Sequence, residues 1–429
     1  MKLCMITLGC PKNLVDSEYL LGALGNNQIQ LVPQADEADV VIINTCGFIL
    51  PAREEAIETI LEAVQLKAIG KVQQVYVAGC LPQRYLTELQ QSIPEVDAFF
   101  DQYDFRRIGQ QLAQRWKLPV SGQTIMRVLQ TPDHYAYLKI AEGCDNRCHY
   151  CTIPAIKGSY REWPVANLIE EAQQLAERGV RELILVAQDT TYYGWKQNQP
   201  NLLVQLIHAI SKIESIQWIR LLYAHPARMN DSIFRLYNEC AKLCRYIDLP
   251  IQHISDRMLR AMGRMGTGDE IRRLIDRLRR EVPEIAIRTT VMVGYPGESK
   301  ADFELLRQFI EEAQFERLGV FQFYAEEGTP AARLPDQIAP EVKQERYEEI
   351  MELQADISEQ HNQQLVGRTL PVIIDERNES SDEYFGRTQW DAPQIDNTVH
   401  IIGDLKIGQI YSVGIERATE YDLWGEVSS

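Results

Sequence analysis

No stretch of the chain holds about 18 consecutive apolar residues, so a membrane-spanning helix is not expected. The opening MKLCMITLGCPKN has an apolar segment too short for a signal peptide and no small-residue cleavage site, and a cytoplasmic location is expected. Positive charge is scarce: 44 Lys and Arg stand against 61 Asp and Glu, a formal net charge of −17. Nucleic-acid binding leans on clustered Lys and Arg. RNA or DNA is therefore disfavoured as a substrate, and a basic protein is the partner that such a surface suits. No internal repeat stands out. Cysteine, by contrast, is present nine times. In a cytosolic chain that number points to metal ligands or redox groups rather than disulfides.

A hydrophobic content of 45% suits globular cores, and 429 residues suit about three domains. The fold class expected is α/β multidomain. The first hundred residues alternate strand and helix. CMITLGC, ADVVIINTC and KVQQVYVAGC read as short buried strands, with helices over Asp16–Leu24 and Arg53–Leu66. That pattern predicts a small α/β domain with a parallel sheet at 1–115. Patterning weakens from Asp101 to Pro132, and a linker is placed at 116–131. In 132–363 the strands YAYLKI, ELILVAQ, WIRLLYA, YIDLPI, IAIRTTVMVG and LGVFQFY alternate with helices such as Val165–Glu177 and Asp269–Arg280. An incomplete (β/α)6 TIM-like barrel follows, with its site at the strand C-terminal ends. Pro340–Val366 reads as a long polar helix. The segment 364–429, with TLPVIID, YFGRTQW, NTVHIIG and QIYSVGIE, reads as a small OB-like β-barrel.

Cys144, Cys148 and Cys151 stand in EGCDNRCHYCTIP. Their C-x3-C-x2-C spacing lets three thiolates face one iron–sulfur cluster. Three ligands on a four-iron cubane leave one iron open for a small molecule, and Tyr150 would shield the cluster. Zinc is the competing reading, but a structural zinc site needs four ligands. His149, flanked by ligands on both sides, would point its ring away. Cys10, Cys46 and Cys80 end three of the expected strands in TLGC, INTC and VAGC. In a parallel sheet such ends line one edge, where open α/β sheets place their ligands. Gly9, Gly47 and Gly79 beside them let backbone approach a bulky inorganic group. Three unrelated core cysteines are the competing reading. Cys4, Cys240 and Cys244 read as core, the last two as i, i+4 neighbours on one helix.

With both trios in place, the chain resembles the radical S-adenosylmethionine (SAM) methylthiotransferases over essentially its whole length. The resemblance rests on GCPKNLVDSE, NTCGFI and AGCLPQRY in the first domain, the cysteine triplet in the barrel, and a tail similar to the TRAM domain. Within that family, YAHP at Tyr223–Pro226, DLPIQHIS at Asp248–Ser255, GRTQWDAPQID at Gly386–Asp396 and the closing YDLWGE resemble one branch. That branch modifies an aspartate of ribosomal protein S-twelve. The sister branches, which modify adenosine in tRNA, are the alternative, and their TRAM domains are expected to be more basic. Here Leu365–Ser429 carries five Lys and Arg against twelve Asp and Glu. An acidic surface attracts a Lys/Arg-rich protein. A two-cluster electron carrier is a further alternative, but such carriers usually supply four cysteines per cluster.

The resemblance implies two 4Fe-4S clusters and SAM. The cluster on Cys144, Cys148 and Cys151 is fed by an electron donor such as flavodoxin or ferredoxin and splits SAM into methionine and a 5′-deoxyadenosyl radical. That radical removes a hydrogen from the β-carbon of the target aspartate. The cluster on Cys10, Cys46 and Cys80 supplies the methylthio group, whose methyl comes from a second SAM. The implied partner is ribosomal protein S-twelve, free or in the small ribosomal subunit. Gln188 and Asp189, in LVAQDTTYYG, resemble by position the amino-group-binding motif of the superfamily, although the usual Gly-Gly-Glu is absent. Gly294, Gly297 and Glu298, in GYPGE, follow the fifth barrel strand, and glycine there permits close approach to ribose or adenine. Arg288 in that strand faces either the SAM carboxylate or a carboxylate inside the barrel. His225 and His253 read as hydrogen-bonded structural histidines. Phe385–Trp390, aromatic and next to Asp391, is the expected docking surface for the partner.

Overall fold

The structure is a computed structural model that describes residues 1–25, 28–118 and 127–428. Residues 119–126 of the expected linker lie outside the described residues. The first domain is built on β1 (Lys2–Thr7), β2 (Gln30–Leu31), β3 (Val40–Thr45), β4 (Gln74–Gly79) and β5 (Ala98–Phe99), all parallel, in the order β2-β1-β3-β4-β5. The Val- and Ile-rich β3 and β4 are buried on both faces, as parallel sheets require. The helices are α1 (Pro11–Leu24), α2 (Leu50–Ala68), α3 (Cys80–Ser92) and α4 (Phe105–Arg115). Helix α4 falls where the sequence pattern looked weak. It is capped by Asp104 and packs Phe105, Ile108 and Leu112 into the core. Gly109 lets its backbone touch α1: a Cβ there would sit 2.5 Å from the Leu20 carbonyl oxygen.

The central domain runs through β6 (Tyr135–Lys139), the small hairpin β7 (Ala141–Glu142) and β8 (Arg161–Glu162), then β9 (Glu182–Val186), β10 (Trp218–Leu221), β11 (Leu243–Asp248), β12 (Ala286–Val293) and β13 (Arg317–Gln322). Six of these form one parallel sheet in the order β13-β12-β11-β10-β9-β6. It is the expected incomplete barrel. Helices α5 (Ile153–Lys157), α6 (Val165–Glu177), α7 (Leu202–Ser211), α8 (Asp231–Glu239), α9 (Asp256–Ala261), α10 (Gly268–Glu281) and α11 (Lys300–Ala313) connect the strands. Capping boxes start α10 and α11. Helix α12 (Pro340–Gln363) leads to the last domain. There β14 (Thr369–Arg377), β15 (Glu383–Thr388), β16 (Thr398–Ile402), β17 (Ile410–Ala418) and β18 (Asp422–Val427) close a barrel in the order β14-β15-β16-β18-β17. Strand β18 is the YDLWGE segment, which had not read as a strand: its glycine and acids mask the alternation of Leu423 and Gly425 inward.

Two sequence expectations are corrected here. Cys240 and Cys244 do not share a helix. Cys240 ends α8, and Cys244 lies in β11, because the chain turns straight from helix into strand; both are buried. The stretch expected to dock a partner is largely internal. Arg387, Trp390 and Asp391 are buried, and the Trp390 indole donates to the Glu284 carbonyl at 2.9 Å. The loop after β15 plugs the barrel from below. Arg220 donates to Glu182 at 2.8 Å and Arg387 donates to the other oxygen of Glu182 at 2.8 Å. Arg387 also holds Asp375, which meets His134 at 2.7 Å. Arg317 donates to Asp391 at 2.6 Å, and Tyr246 donates to Asp396 at 2.7 Å.

Burial alone would raise the carboxyls of Glu182 and Asp375, but Arg387, with Arg220 on the first and His134 on the second, outweighs it and holds both below the usual range. The stability these groups add is present above their ordinary pKa and is lost as pH falls through the depressed one. The urea midpoint of the full chain should therefore drop as pH falls below about 4. Arg387→Met, which strands buried carboxylates, should cost about 3–5 kcal/mol at neutral pH, read from the same unfolding curves.

Candidate functional site

The first cysteine trio is set by three parallel strands and the turns that leave them. Cys46 follows β3 directly, Cys80 opens α3 immediately after β4, and Cys10 is the N-terminal cap of α1. Close approach is built in. A Cβ on Gly9, whose φ is +92°, would lie 2.9 Å from the Cys46 Cβ and 3.1 Å from its sulfur. A Cβ on Gly79, with φ +101°, would meet the Asn44 side-chain oxygen at 2.4 Å. Asn13 ties the turns together by donating to the Leu8 and Thr45 carbonyls at 3.0 and 3.2 Å. Burial pushes the Cys80 thiol up to about 12, with Lys157 as the main opposing charge. Burial also raises Cys46, and the backbone N–H groups of Phe48 and Gly47 partly offset it.

The second trio lies on the loop between β7 and α5. Burial pushes Cys144 up to about 11, against a backbone hydrogen bond from Asn146 at 3.4 Å. Cys151 is pushed up to about 12 by burial and by its neighbour Cys148. These thiols hold their protons until a metal displaces them. The His149 ring turns away from the loop, as expected, and bonds the Ala261 carbonyl at 2.8 Å. Tyr150 packs beside Tyr295, Phe323 and Met258 in an apolar cluster. Arg264 reaches the Cys148 sulfur at 3.9 Å and the Pro250 carbonyl at 2.6 Å. Among the described residues, no three His, Cys, Asp or Glu side chains are spaced to hold a single ion. The donor set of each trio, three thiols, fits a larger iron–sulfur group, and at the first trio glycine brings the turns close.

The loops that carry the two trios touch across the domain boundary. The hydroxyl of Thr152, next to Cys151, donates to the carbonyl of Phe48, two residues after Cys46, at 3.1 Å. Arg84 of α3 donates to the Gly47 carbonyl and to Glu326 of the barrel, and Arg53 of α2 also pairs with Glu326. The expected cofactor residues divide. Asp189 sits beside Cys144, bonded to Asn146 at 3.0 Å, to Arg228 and to Thr191. Gln188 donates to Glu142 at 2.8 Å. Gly294 and Gly297 both have positive φ and form the turn after β12. The carboxylate of Glu298, however, turns inward to the Gly294 N–H, His253 and Arg346. Arg288 takes the salt-bridge option: it pairs with Asp248 at 2.9 Å and with Asp396 at 3.4 Å. His253 is buried and accepts from two backbone N–H groups, the structural role expected of it. His225 accepts from Ala227, and burial, with Arg264 and Arg228 nearby, lowers it to about 2.

Sequence reasoning missed Lys12, Lys157, Arg264 and Arg228. Only the position of the first two gave a signal, since each lies within six residues of a cysteine ligand candidate. Tyr223 carried a faint one in YAHP. Its φ is +59°, a left-handed conformation rare for a bulky residue, and its ring lies 3.5 Å from the Lys12 ammonium.

Comparison with known proteins agrees with this geometry. Residues 2–101 match the uncharacterized protein family UPF0004, residues 138–310 the radical SAM superfamily and residues 366–427 the TRAM domain. The fold is similar to that of a radical S-adenosylmethionine methyltransferase, TsrM, from Kitasatospora setae, solved with cobalamin and a [4Fe-4S] cluster. The TM-score is 0.54 at 15% identity, covering 77% of this chain and 76% of that one. The cobalamin-dependent radical enzyme OxsB, solved with S-adenosylmethionine, is similar at a TM-score of 0.50 and 13% identity over 82% of this chain and 56% of that one. Fold and site together define a radical SAM methylthiotransferase.

Curated relatives resolve it further. The ribosomal protein uS12 methylthiotransferase RimO of Trichlorobacter lovleyi is 45% identical over 99% of this chain and 98% of its own length. Those of Desulforamulus reducens and Geobacter sulfurreducens are 44% and 42% identical, over 99% and 100% of this chain and 99% of their own lengths. The chain belongs to the RimO family.

The crowding at Gly79 gives a direct check. Gly79→Ala forces a Cβ into Asn44 and Thr45 at a left-handed position and should cost roughly 1–3 kcal/mol from strain alone. After anaerobic reconstitution it should hold less iron per chain than the parent protein, read by iron assay.

Proposed function

We propose that this protein transfers a methylthio group to the β-carbon of an aspartate in ribosomal protein S12, with Cys144, Cys148 and Cys151 holding one 4Fe-4S cluster and Cys10, Cys46 and Cys80 a second. The observation that carries the reading is the Thr152–Phe48 hydrogen bond, which sets the two cysteine loops edge to edge. When bound, the clusters supply the electron that cleaves SAM and the site that presents sulfur. An unactivated C–H bond is beyond acid–base groups, so a cofactor carries that step, and the chain's task is alignment and exclusion of water. Asp189 and Asn146, at the rim of the Cys144 loop, orient the amino group of SAM. Gly297, with open space beside it, leaves room for its adenosine, whereas Lys343 packs against Gly294. Arg84 and Arg53, paired with Glu326, keep the domains closed over the gap.

The acidic exterior suits a basic ribosomal protein better than tRNA. Three acids of the last domain, Asp375, Asp391 and Asp396, are paired internally, while Glu376, Glu379, Asp382, Asp404, Glu416 and Glu426 are exposed. The protein works in the cytoplasm with an electron donor such as flavodoxin or ferredoxin.

Separate roles for the trios predict a split. Cys148→Ala should lose SAM cleavage under dithionite, whereas Cys46→Ala should keep cleaving SAM and lose methylthio transfer to S12, followed by mass spectrometry of the substrate protein. Deoxyadenosine formed by the Cys148 variant would refute the assignment. A tRNA gel shift at moderate salt with no S12 modification would redirect the substrate to RNA.

A further inference from the structure

The turn after α9 is where the barrel meets the loop of Cys144, Cys148 and Cys151. Gly263, with φ +66°, ends the helix in the left-handed conformation. Its N–H bonds the Arg260 carbonyl at 3.1 Å, and the Arg264 N–H bonds the Leu259 carbonyl at 2.9 Å. That pair of bonds is a Schellman cap. The same glycine brings the turn onto the cysteine loop: a Cβ there would lie 2.7 Å from the Arg147 carbonyl oxygen and 2.9 Å from the His149 ring. The His149 N–H bonds the Met262 carbonyl at 2.9 Å. The cap therefore fixes the direction in which Arg264, the residue after Gly263, leaves the turn.

The Arg264 guanidinium is held on two sides. One nitrogen donates to the Pro250 carbonyl, just beyond β11, at 2.6 Å, and another lies 3.9 Å from the Cys148 sulfur. Among the described residues it forms no ion pair. Of the groups whose charge acts on it, Tyr150 and Cys148 come first, and Asp189, already paired with Arg228, follows. Cys144, by contrast, sits beside that paired Asp189 and Arg228. Arg264 acts on Cys151 as well. A cation with no carboxylate of its own thus stands over two of the three thiols.

We infer that Arg264 sets the reduction potential of the iron–sulfur group on Cys144, Cys148 and Cys151, raising it so that the group accepts the electron SAM cleavage consumes. The inference rests on the cluster assignment proposed above. The potential of such a group follows its net charge and the hydrogen bonds its sulfurs accept. Reduction adds one negative charge, spread over irons and sulfurs. A fixed cation beside a ligating sulfur stabilises the reduced form more than the oxidised one. Arginine suits the task because it stays charged throughout the working pH range. The step is a one-electron transfer: a reduced carrier protein loses the electron, the group gains it, no bond forms or breaks, and no proton moves. Arg264 acts through the Cys148 sulfur and is a positioning residue.

The test uses the full-length protein, reconstituted anaerobically, and follows its electron paramagnetic resonance through a redox titration. The signal that changes when SAM is added belongs to the Cys144, Cys148 and Cys151 group, and its midpoint is the quantity scored. Arg264→Met and Arg264→Gln should lower the equilibrium constant for its reduction about tenfold, which for one electron is a fall of about 59 mV. Arg264→Lys, which keeps the charge, should recover most of that fall. Arg260→Met, an exposed position on the same helix, should keep the parent midpoint. A parent-like midpoint in the iron-loaded Met and Gln variants overturns the inference. So does a fall that Arg264→Lys fails to recover, since packing rather than charge would then be its cause. Should Arg264→Met not load iron, Arg264→Gln, which keeps a donor for the Pro250 carbonyl, decides alone. A parent protein with no SAM-sensitive signal overturns the cluster assignment, and the inference with it.

Discussion

A six-stranded barrel cannot fill its own interior. Eight strands enclose a space that their own side chains pack, and here two are missing, so the inner face of the sheet must be covered by something else. The inward residues Tyr135, Tyr137, Ile184, Val186, Trp218 and Tyr246 share one apolar cluster with Leu20 of α1 and with Val372 and Trp390 of the last domain. The other two domains are therefore the barrel's missing wall and floor. Because part of that surface is polar, the closure is electrostatic as well as hydrophobic. Arg220, Arg288 and Arg317 point to the region where β15 and the loop after it bring Arg387, Asp391 and Asp396. A buried pair of this kind adds little net stability, but losing one partner is costly. It sets register more than strength.

The same logic explains the motif at the start of the chain. In GCPKNLVDSE the polar residues are buried, some bonded within the first domain and others to residues beyond it. Asn13 spans the cysteine turns, Ser17 bonds Thr7 and Asn44, Asp16 holds Lys139, and Glu18 holds Arg127. Tyr19 bonds Glu171 on α6 at 2.7 Å. Helix α1 is thus a polar spline between the cysteine-bearing sheet edge and the open side of the barrel. A run of hydrophilic residues that ordinarily marks a solvated helix face marks here a domain joint.

Much of this architecture was legible in the sequence. Each of the six barrel strands overlaps the apolar segment that suggested it, although β11 starts three residues before YIDLPI and β13 one before LGVFQFY, since β-branched runs bounded by turns carry a strong local signal. Both cysteine trios came from spacing and strand position. What stayed hidden depends on which surfaces meet. Helix α4 has an apolar stripe that only makes sense against α1. Lys12 and Lys157 look like ordinary surface lysines until their neighbours are known. The segment GRTQWDAPQID carries the aromatics and charges of a recognition surface, and it is one, but the surface it recognises belongs to the same chain. Sequence composition alone cannot separate those two cases, because interdomain and intermolecular contacts are made of the same residues.

The domain joints and the site are one structure rather than two. From the floor upward, Asp396 meets Arg288, Arg288 meets Asp248, and Asp248 accepts the Tyr223 N–H at 3.0 Å. The carbonyl of Tyr223 is held by the Thr190 N–H at 3.0 Å and by its hydroxyl at 3.2 Å. A left-handed tyrosine persists only where its surroundings over-determine it, and these contacts do so from β11 and from the turn after β9. Its ring then supports the Lys12 ammonium beside Cys10. The chain of contacts runs from the last domain, through the barrel interior, to the first cysteine trio. None of the three domains could set that position alone: the first lacks Tyr223, the barrel lacks Asp396, the second acid on Arg288, and the last lacks any cysteine. The proposed reaction would use two centres in fixed register, and the incomplete barrel suits that proposal because closing it demands the very domains that carry the rest of the candidate site.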